Sequence, residues 1–165
     1  GNRQYIKTYS NRTLPLGYLA EYTENESYVI NANGRETIIF DTNVFIDYPN
    51  ILCRIDESKQ IVVPAKVVDE LDKLKVTLDD AGRRNAAIAL KNINAMSNRI
   101  RRELSDTNCL PIDFNRYNSD NMILSVAVKF RNQNPILITS DNGLQVKAKT
   151  LGIETKRPSE IFNAS

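Results

Sequence analysis

With 165 residues, 41% of them hydrophobic and 25% charged, the chain is long enough to bury one core without staples, and no apolar run approaches the roughly 20 residues of a membrane helix. Histidine is absent, which excludes Ser-His-Asp and Cys-His catalysis and His-ligated zinc. Hydrolysis would have to use carboxylates, lysine or a metal-bound water, and the net charge of +2 is too small to indicate a polyanion partner by itself.

The chain opens on Gly1 rather than methionine, which reads as a piece of a longer polypeptide. Residues 1–36 are rich in Tyr, Asn and Thr. Leu19–Tyr22 and Ser27–Ile30 read as short strands, and Asn33-Gly34 as a turn. This segment is expected to be an accessory hairpin or the tail of an upstream domain, ahead of a domain over 37–165. From residue 37 strands and helices alternate. Thr37–Phe40 reads as a buried strand, followed by a turn and helix over Asn43–Cys53. Gln60–Val63 reads as a second strand closed by Pro64, before a helix over Ala65–Lys75 with Val67, Val68, Leu71 and Leu74 inward. Asp79-Asp80 caps a long helix expected to end near Leu104. Leu110–Phe114 is the predicted third strand. Ser119 is the predicted cap of a helix over Asp120–Phe130. Ile136–Thr139 is the fourth strand, Asn142–Leu151 a helix stopped by Gly152, and Ile153–Thr155 a last strand. Such alternation implies a parallel sheet covered on both faces, with ligands bound beyond the carboxyl ends of its strands.

Four acids fall at element ends. Asp41 closes the first strand, Glu70 borders the buried face of its helix, Asp120 lies in the first turn of its helix, and Asp141 follows the fourth strand. Taken singly, each reads as a cap, a helix-dipole partner or a solvated edge. Taken together, they converge on one crevice of a parallel sheet. Four carboxylates there repel and raise one another's pKa, and a divalent cation relieves that repulsion. An all-oxygen ligand set suits Mg²⁺ or Mn²⁺, which would orient a phosphodiester and activate a water. Asn43 and Ser140 are placed to orient carboxylates or waters.

Residues 81–104 carry Arg83, Arg84, Lys91, Arg99, Arg101 and Arg102 against Glu103 alone, a basic element suited to a polyanion. Arg83 and Arg84, in its first turns, are the expected substrate contacts, with weaker support from Lys147 and Lys149. Cys53 and Cys109 stand alone in apolar contexts. They read as reduced core thiols, which favours the cytoplasm.

Ile39-Phe40-Asp41-Thr42-Asn43-Val44-Phe45-Ile46, then Ile61-Val62-Val63-Pro64 with Glu70-Leu71-Asp72-Lys73-Leu74-Lys75, resembles a PIN domain. So do Asp120-Asn121-Met122-Ile123-Leu124 and Ile138-Thr139-Ser140-Asp141, continuing to Leu151-Gly152-Ile153. The resemblance covers about residues 37–162. It implies a flavodoxin-like three-layer α/β/α fold with a central parallel sheet, and a metal-dependent ribonuclease acting on single-stranded RNA. It puts the family's acids on Asp41, Glu70, Asp120 and Asp141, its asparagine on Asn43, and its Ser/Thr position on Thr139 or Ser140. The Glu70–Lys75 stretch most resembles PIN domains joined to PhoH-type ATPases, so further domains such as an ATPase are expected in a larger parent, with homodimerisation as an option. Two other readings stand beside it. One is a catalytically silent PIN scaffold that binds RNA or protein. The other is a receiver-like domain of the same fold, for which Asp113 would have to be the phosphoacceptor at the end of a third strand.

Overall fold

The run Thr37-Ile38-Ile39-Phe40 forms the central strand of the computed structural model, which describes residues 35–77 and 79–162. This strand, β1 (Thr37–Phe40), pairs in parallel with β2 (Gln60–Pro64) on one side and β4 (Pro135–Ile138) on the other. β3 (Ile100–Glu103) lies outside β2 and β5 (Glu154–Lys156) outside β4, so the order is β3-β2-β1-β4-β5, all parallel. The inner strands are apolar along their length, as strands covered on both faces must be. Ile39, Phe40, Ile61, Val62, Val63, Leu137 and Ile138 are all buried.

Among the described residues, six α-helices flank the sheet: α1 (Thr42–Asp47), α2 (Ala65–Thr77), α3 (Asp80–Ala95), α4 (Ser119–Lys129), α5 (Asn142–Thr150) and α6 (Pro158–Phe162). α2 packs against α3 and α4, α1 against α3, and α4 against α5. The result is the expected three-layer α/β/α architecture. The hairpin expected in residues 1–36 lies outside the described residues, apart from Arg35 and Glu36. Among the described residues, no helix is long and apolar enough to cross a membrane.

Several expectations are corrected. The long helix predicted to reach Leu104 ends at Ala95. The Ser97 amide and hydroxyl both turn back on the Asn94 carbonyl (3.3 and 2.6 Å), and the chain leaves the helix through Met96–Arg99. Ile100 continues the apolar helical spacing, yet it is buried as a strand residue paired with Ile61. The edge position of β3 is what admits Arg101, Arg102 and Glu103 into a strand. The predicted strand Leu110–Phe114 is instead a turn. Phe114 donates to the Pro111 carbonyl (3.0 Å), and Ile112 is 100% exposed. The basic element of 81–104 is therefore split between a helix, a turn and an edge strand. Asp113 sits exposed in the turn, away from any strand end, which removes the phosphoacceptor that a receiver would need. The cysteines are a further correction: both are free, as expected, but exposed rather than in the core.

The caps follow local chemistry. Asp79 caps α3 by accepting from the Gly82 amide at 2.7 Å. Asn118, not Ser119, caps α4, accepting from the Asn121 amide at 3.0 Å. At the end of α5, Gly152 adopts φ 77°; its amide reaches Lys149 O (3.0 Å) and the Ile153 amide reaches Ala148 O (2.9 Å). This paired pattern needs a left-handed residue at Gly152. A Cβ there would meet nothing within 4 Å, so the penalty for a side chain is purely conformational. Gly152→Ala should cost about 1–2 kcal/mol in chemical denaturation. An unchanged midpoint would contradict this account of the helix stop.

Candidate active site

The chain runs from β1 outward to β2 and β3, then returns to place β4 and β5 on the other side of β1. The sheet order therefore reverses between β1 and β4, the place where open parallel sheets bind ligands beyond the carboxyl ends of their strands. Phe40 is in register with Ile138, so the next residues, Asp41 and Thr139, stand side by side, with the Asp41 amide on the Ile138 carbonyl at 3.0 Å.

Asp41 is 5% exposed and caps α1. Its Oδ1 accepts from the Thr42 amide (2.8 Å) and its Oδ2 from the Thr139 hydroxyl (2.8 Å). Burial pushes its pKa up to about 6; the Thr139 and Thr42 bonds oppose the rise, while the charges of Asp120 and Glu70 add to it. Thr139 is fully buried. Its hydroxyl oxygen also accepts the Asp141 amide (3.1 Å), and its carbonyl accepts from Gln145 Nε2 (2.9 Å). One threonine thus ties the first acid to the loop carrying the fourth.

Glu70 is half-buried on α2, and its Oε1 accepts the Thr42 hydroxyl at 2.5 Å. Its neighbours Asp69 and Asp72 turn outward and pair with lysines of their own helix. Asp120 lies in the first turn of α4. Burial raises its pKa, the charges of Asp141 and Glu70 raise it further, and Lys147 opposes them. Asp141 is exposed and caps α5 through the Leu144 amide (3.1 Å). Asp41 and Asp141 thus both serve as helix caps, as each reads when taken singly.

All four acids come within electrostatic reach of at least one other. Among the described residues, however, no group of three or more His, Cys, Asp or Glu side chains is gathered closely enough to hold a metal ion. The donor set still fits a hard divalent cation. Every donor is a carboxylate oxygen, and Mg²⁺ commonly binds through one or two carboxylates while keeping its waters.

The remaining expected residues divide. Thr139 rather than Ser140 contacts an acid; Ser140 is exposed, as is Asn43 near the start of α1. Arg83 pairs with Asp80, and Arg84 reaches the Asp80 carbonyl at 3.5 Å. Sequence reasoning did not single out Thr42, which holds Glu70, or Asn121, which is buried and accepts from Lys147 Nζ at 2.9 Å. The signal for Thr42 was its place beside Asp41 at the helix start. Nothing local marked the role of Asn121 toward Lys147, which is 26 residues away.

A PIN domain family model matches residues 38–159, most of the chain, and the chain belongs to that family. PIN domains are typically nucleases that use divalent metal ions. The chain is 30% identical over 139 residues to Protein PhoH2 of Bacillus subtilis (strain 168). That match covers 70% of this chain and 31% of PhoH2, so the chain spans about a third of this relative's length. A domain of a functionally unknown protein from Methanocaldococcus jannaschii superposes with a TM-score of 0.50 at 28% identity, covering 73% of this chain and 89% of that one. The PIN domain of human SMG5 superposes with a TM-score of 0.52 at 16% identity, covering 78% and 99%, a likeness of fold.

Proposed function

We propose that this PIN domain is a metal-dependent endoribonuclease that hydrolyses phosphodiester bonds of single-stranded RNA, with Asp41, Glu70, Asp120 and Asp141 holding Mg²⁺ or Mn²⁺. The observation that carries the reading is the placement of Asp41, a carboxylate buried at the β1/β4 strand ends and held by the Thr42 amide and the Thr139 hydroxyl. Two hydrogen bonds favour its charged form, yet its pKa stands at about 6, because burial and the charges of Asp120 and Glu70 outweigh them. A carboxylate held at that cost beside other carboxylates suits a site whose charge is neutralised on loading.

When bound, the metal supplies a water of lowered pKa and stabilisation for charge on the phosphodiester oxygens. The chain's residues supply position. Thr139 fixes the rotamer of Asp41 and the amide of the Asp141 loop, and Thr42 fixes Glu70. Asn43 and Ser140 are available at the rim to orient waters. Arg83 and Arg84 would serve outlying phosphates, Arg83 after releasing Asp80. The exposed free thiols accord with a cytoplasmic setting. The match to only part of PhoH2 accords with further domains, such as an ATPase, in a larger parent, and homodimerisation belongs to the same proposal.

Tyr117 supports the single-stranded assignment. It is 89% exposed three residues before Asp120, and its amide is fixed on Asn115 Oδ1 at 2.9 Å. A free aromatic face stacks on an unpaired base, which a duplex does not offer. Tyr117→Ala should weaken single-stranded RNA binding by about 1–3 kcal/mol in fluorescence anisotropy and leave duplex binding unchanged. An equal loss for both would remove Tyr117 from the proposal.

The decisive experiment is cleavage of labelled single-stranded RNA with Mn²⁺, expected to vanish with EDTA and in Asp41→Asn. Binding of RNA without metal-dependent cleavage would leave the silent scaffold as the better reading. One observation favours that alternative: among the described residues, no three acidic side chains are gathered around a common point.

A further inference from the structure

Building on the proposed ribonuclease site, we infer that Lys147 and Arg157 are its phosphate-gripping residues, one on each flank of the Asp120–Asp141 pair. A cation beside a carboxylate crevice ordinarily forms an ion pair and loses its use for a polyanion. Lys66, Lys73, Lys75 and Arg83 do so, each pairing with an aspartate of its own helix. Lys147 and Arg157 do not.

Lys147 Nζ donates to Asn121 Oδ1 at 2.9 Å, a neutral acceptor. Asn121 is itself clamped: its Nδ2 donates to Asn115 O (2.9 Å) and its amide to Asn118 Oδ1 (3.0 Å). The ammonium is thus held by a fixed amide, close enough to Asp120 for the two charges to act on each other. Two of its three N–H donors remain for a ligand. Arg157 brackets Asp141 from the other side. Its Nη1 donates to Ser140 O (3.0 Å) and its Nη2 to Asn142 Oδ1, the residues on either side of the fourth acid. Neither cation forms an ion pair among the described residues. Neutral tethers give each cation a direction without cancelling its charge. That is what binding backbone phosphates next to a carboxylate site requires, with a guanidinium suited to two phosphate oxygens at once.

The test is anisotropy of labelled single-stranded RNA in EDTA across a salt series, with the full chain. Lys147→Gln and Arg157→Gln should each weaken binding about tenfold and lower the slope of log K against log salt by about 0.7. Lys147→Arg should restore both. Lys75→Gln, which removes a lysine already paired with Asp72, should change neither. Thermal melts of both variants should match wild type, which separates a lost phosphate contact from a damaged fold. Unchanged affinity and slope in both glutamine variants, or an equal loss in Lys75→Gln, would overturn the inference while leaving the ribonuclease reading intact. Failure of the wild-type chain to bind or cleave RNA would overturn both.

Discussion

Replacing Asp41 by asparagine should abolish cleavage and, at neutral pH without metal, make the protein more stable. The loss follows from removing the most buried carboxylate of the crevice. A reduction of about 10³-fold or more corresponds to the several kcal/mol that a bound metal supplies to the transition state. The gain follows from linkage. In the unfolded chain Asp41 titrates near 3.8, and in the folded chain at about 6. The folded state therefore binds this proton more tightly, and its contribution to stability is fully present below pH 4. It is lost as pH rises through about 6, and above that the charged carboxylate costs up to about 3 kcal/mol. Asparagine carries no such charge. It can still accept the Thr42 amide, but its NH₂ must face the Thr139 hydroxyl, which takes back part of the gain. Urea melts of both proteins in EDTA should diverge between pH 4 and 6 and stay apart above pH 7. Saturating Mn²⁺ should shrink or reverse the gap, because the wild type, with all four carboxylates, gains more binding energy than the variant. A variant less stable than wild type at pH 8 in EDTA would show that Asp41 is held as an ordinary cap.

Thr139→Val should lower cleavage by about 10- to 100-fold and destabilise the fold by about 1–3 kcal/mol. Valine fills the same volume, so the effect isolates the hydroxyl. That hydroxyl donates to Asp41 Oδ2 and accepts the Asp141 amide, and both groups lose a partner in a site closed to water on the Thr139 side. The pKa of Asp41 should rise further, since the Thr139 bond is the largest influence opposing burial. Thr139→Ser, which keeps the hydroxyl, should recover most of the rate. If Val and Ser behave alike, the threonine serves packing rather than the site.

The parts of the fold that were legible in the sequence are those where one physical demand dominated. β1 and β4 are unbroken apolar runs, so burial on both faces could be read directly. Gly152 marked its helix stop because few other residues take that backbone conformation without strain. Asp41 and Asp141 stood out because they follow apolar strands, and Asp120 and Glu70 because of their positions on helices. β3 was missed because an edge strand need not be apolar, and Ile100 lies four residues beyond Met96, at a spacing that a helix would also give. The cysteines were misplaced because Leu52 and Leu110 beside them suggested burial, although Leu52 is buried while Cys53 faces outward. Within the site, Thr139 could not be separated from Ser140 by pattern. Alternation along β4 and the register with β1 decide which hydroxyl meets Asp41. Asn121 and Arg157 act through distant partners, which no local pattern reports.

The hydrogen bond between Asp41 and Thr139 joins residues 98 apart in sequence. During synthesis the N-terminal acid leaves the ribosome well before the strand that completes its surroundings. Until β4 docks, the crevice has only one wall, and bringing such remote segments together is slow relative to local helix formation. The surroundings of Asp41 are therefore completed only when nearly the whole domain has emerged. For the proposed ribonuclease, made beside abundant RNA, this order would hold back cutting until synthesis of the domain is almost done.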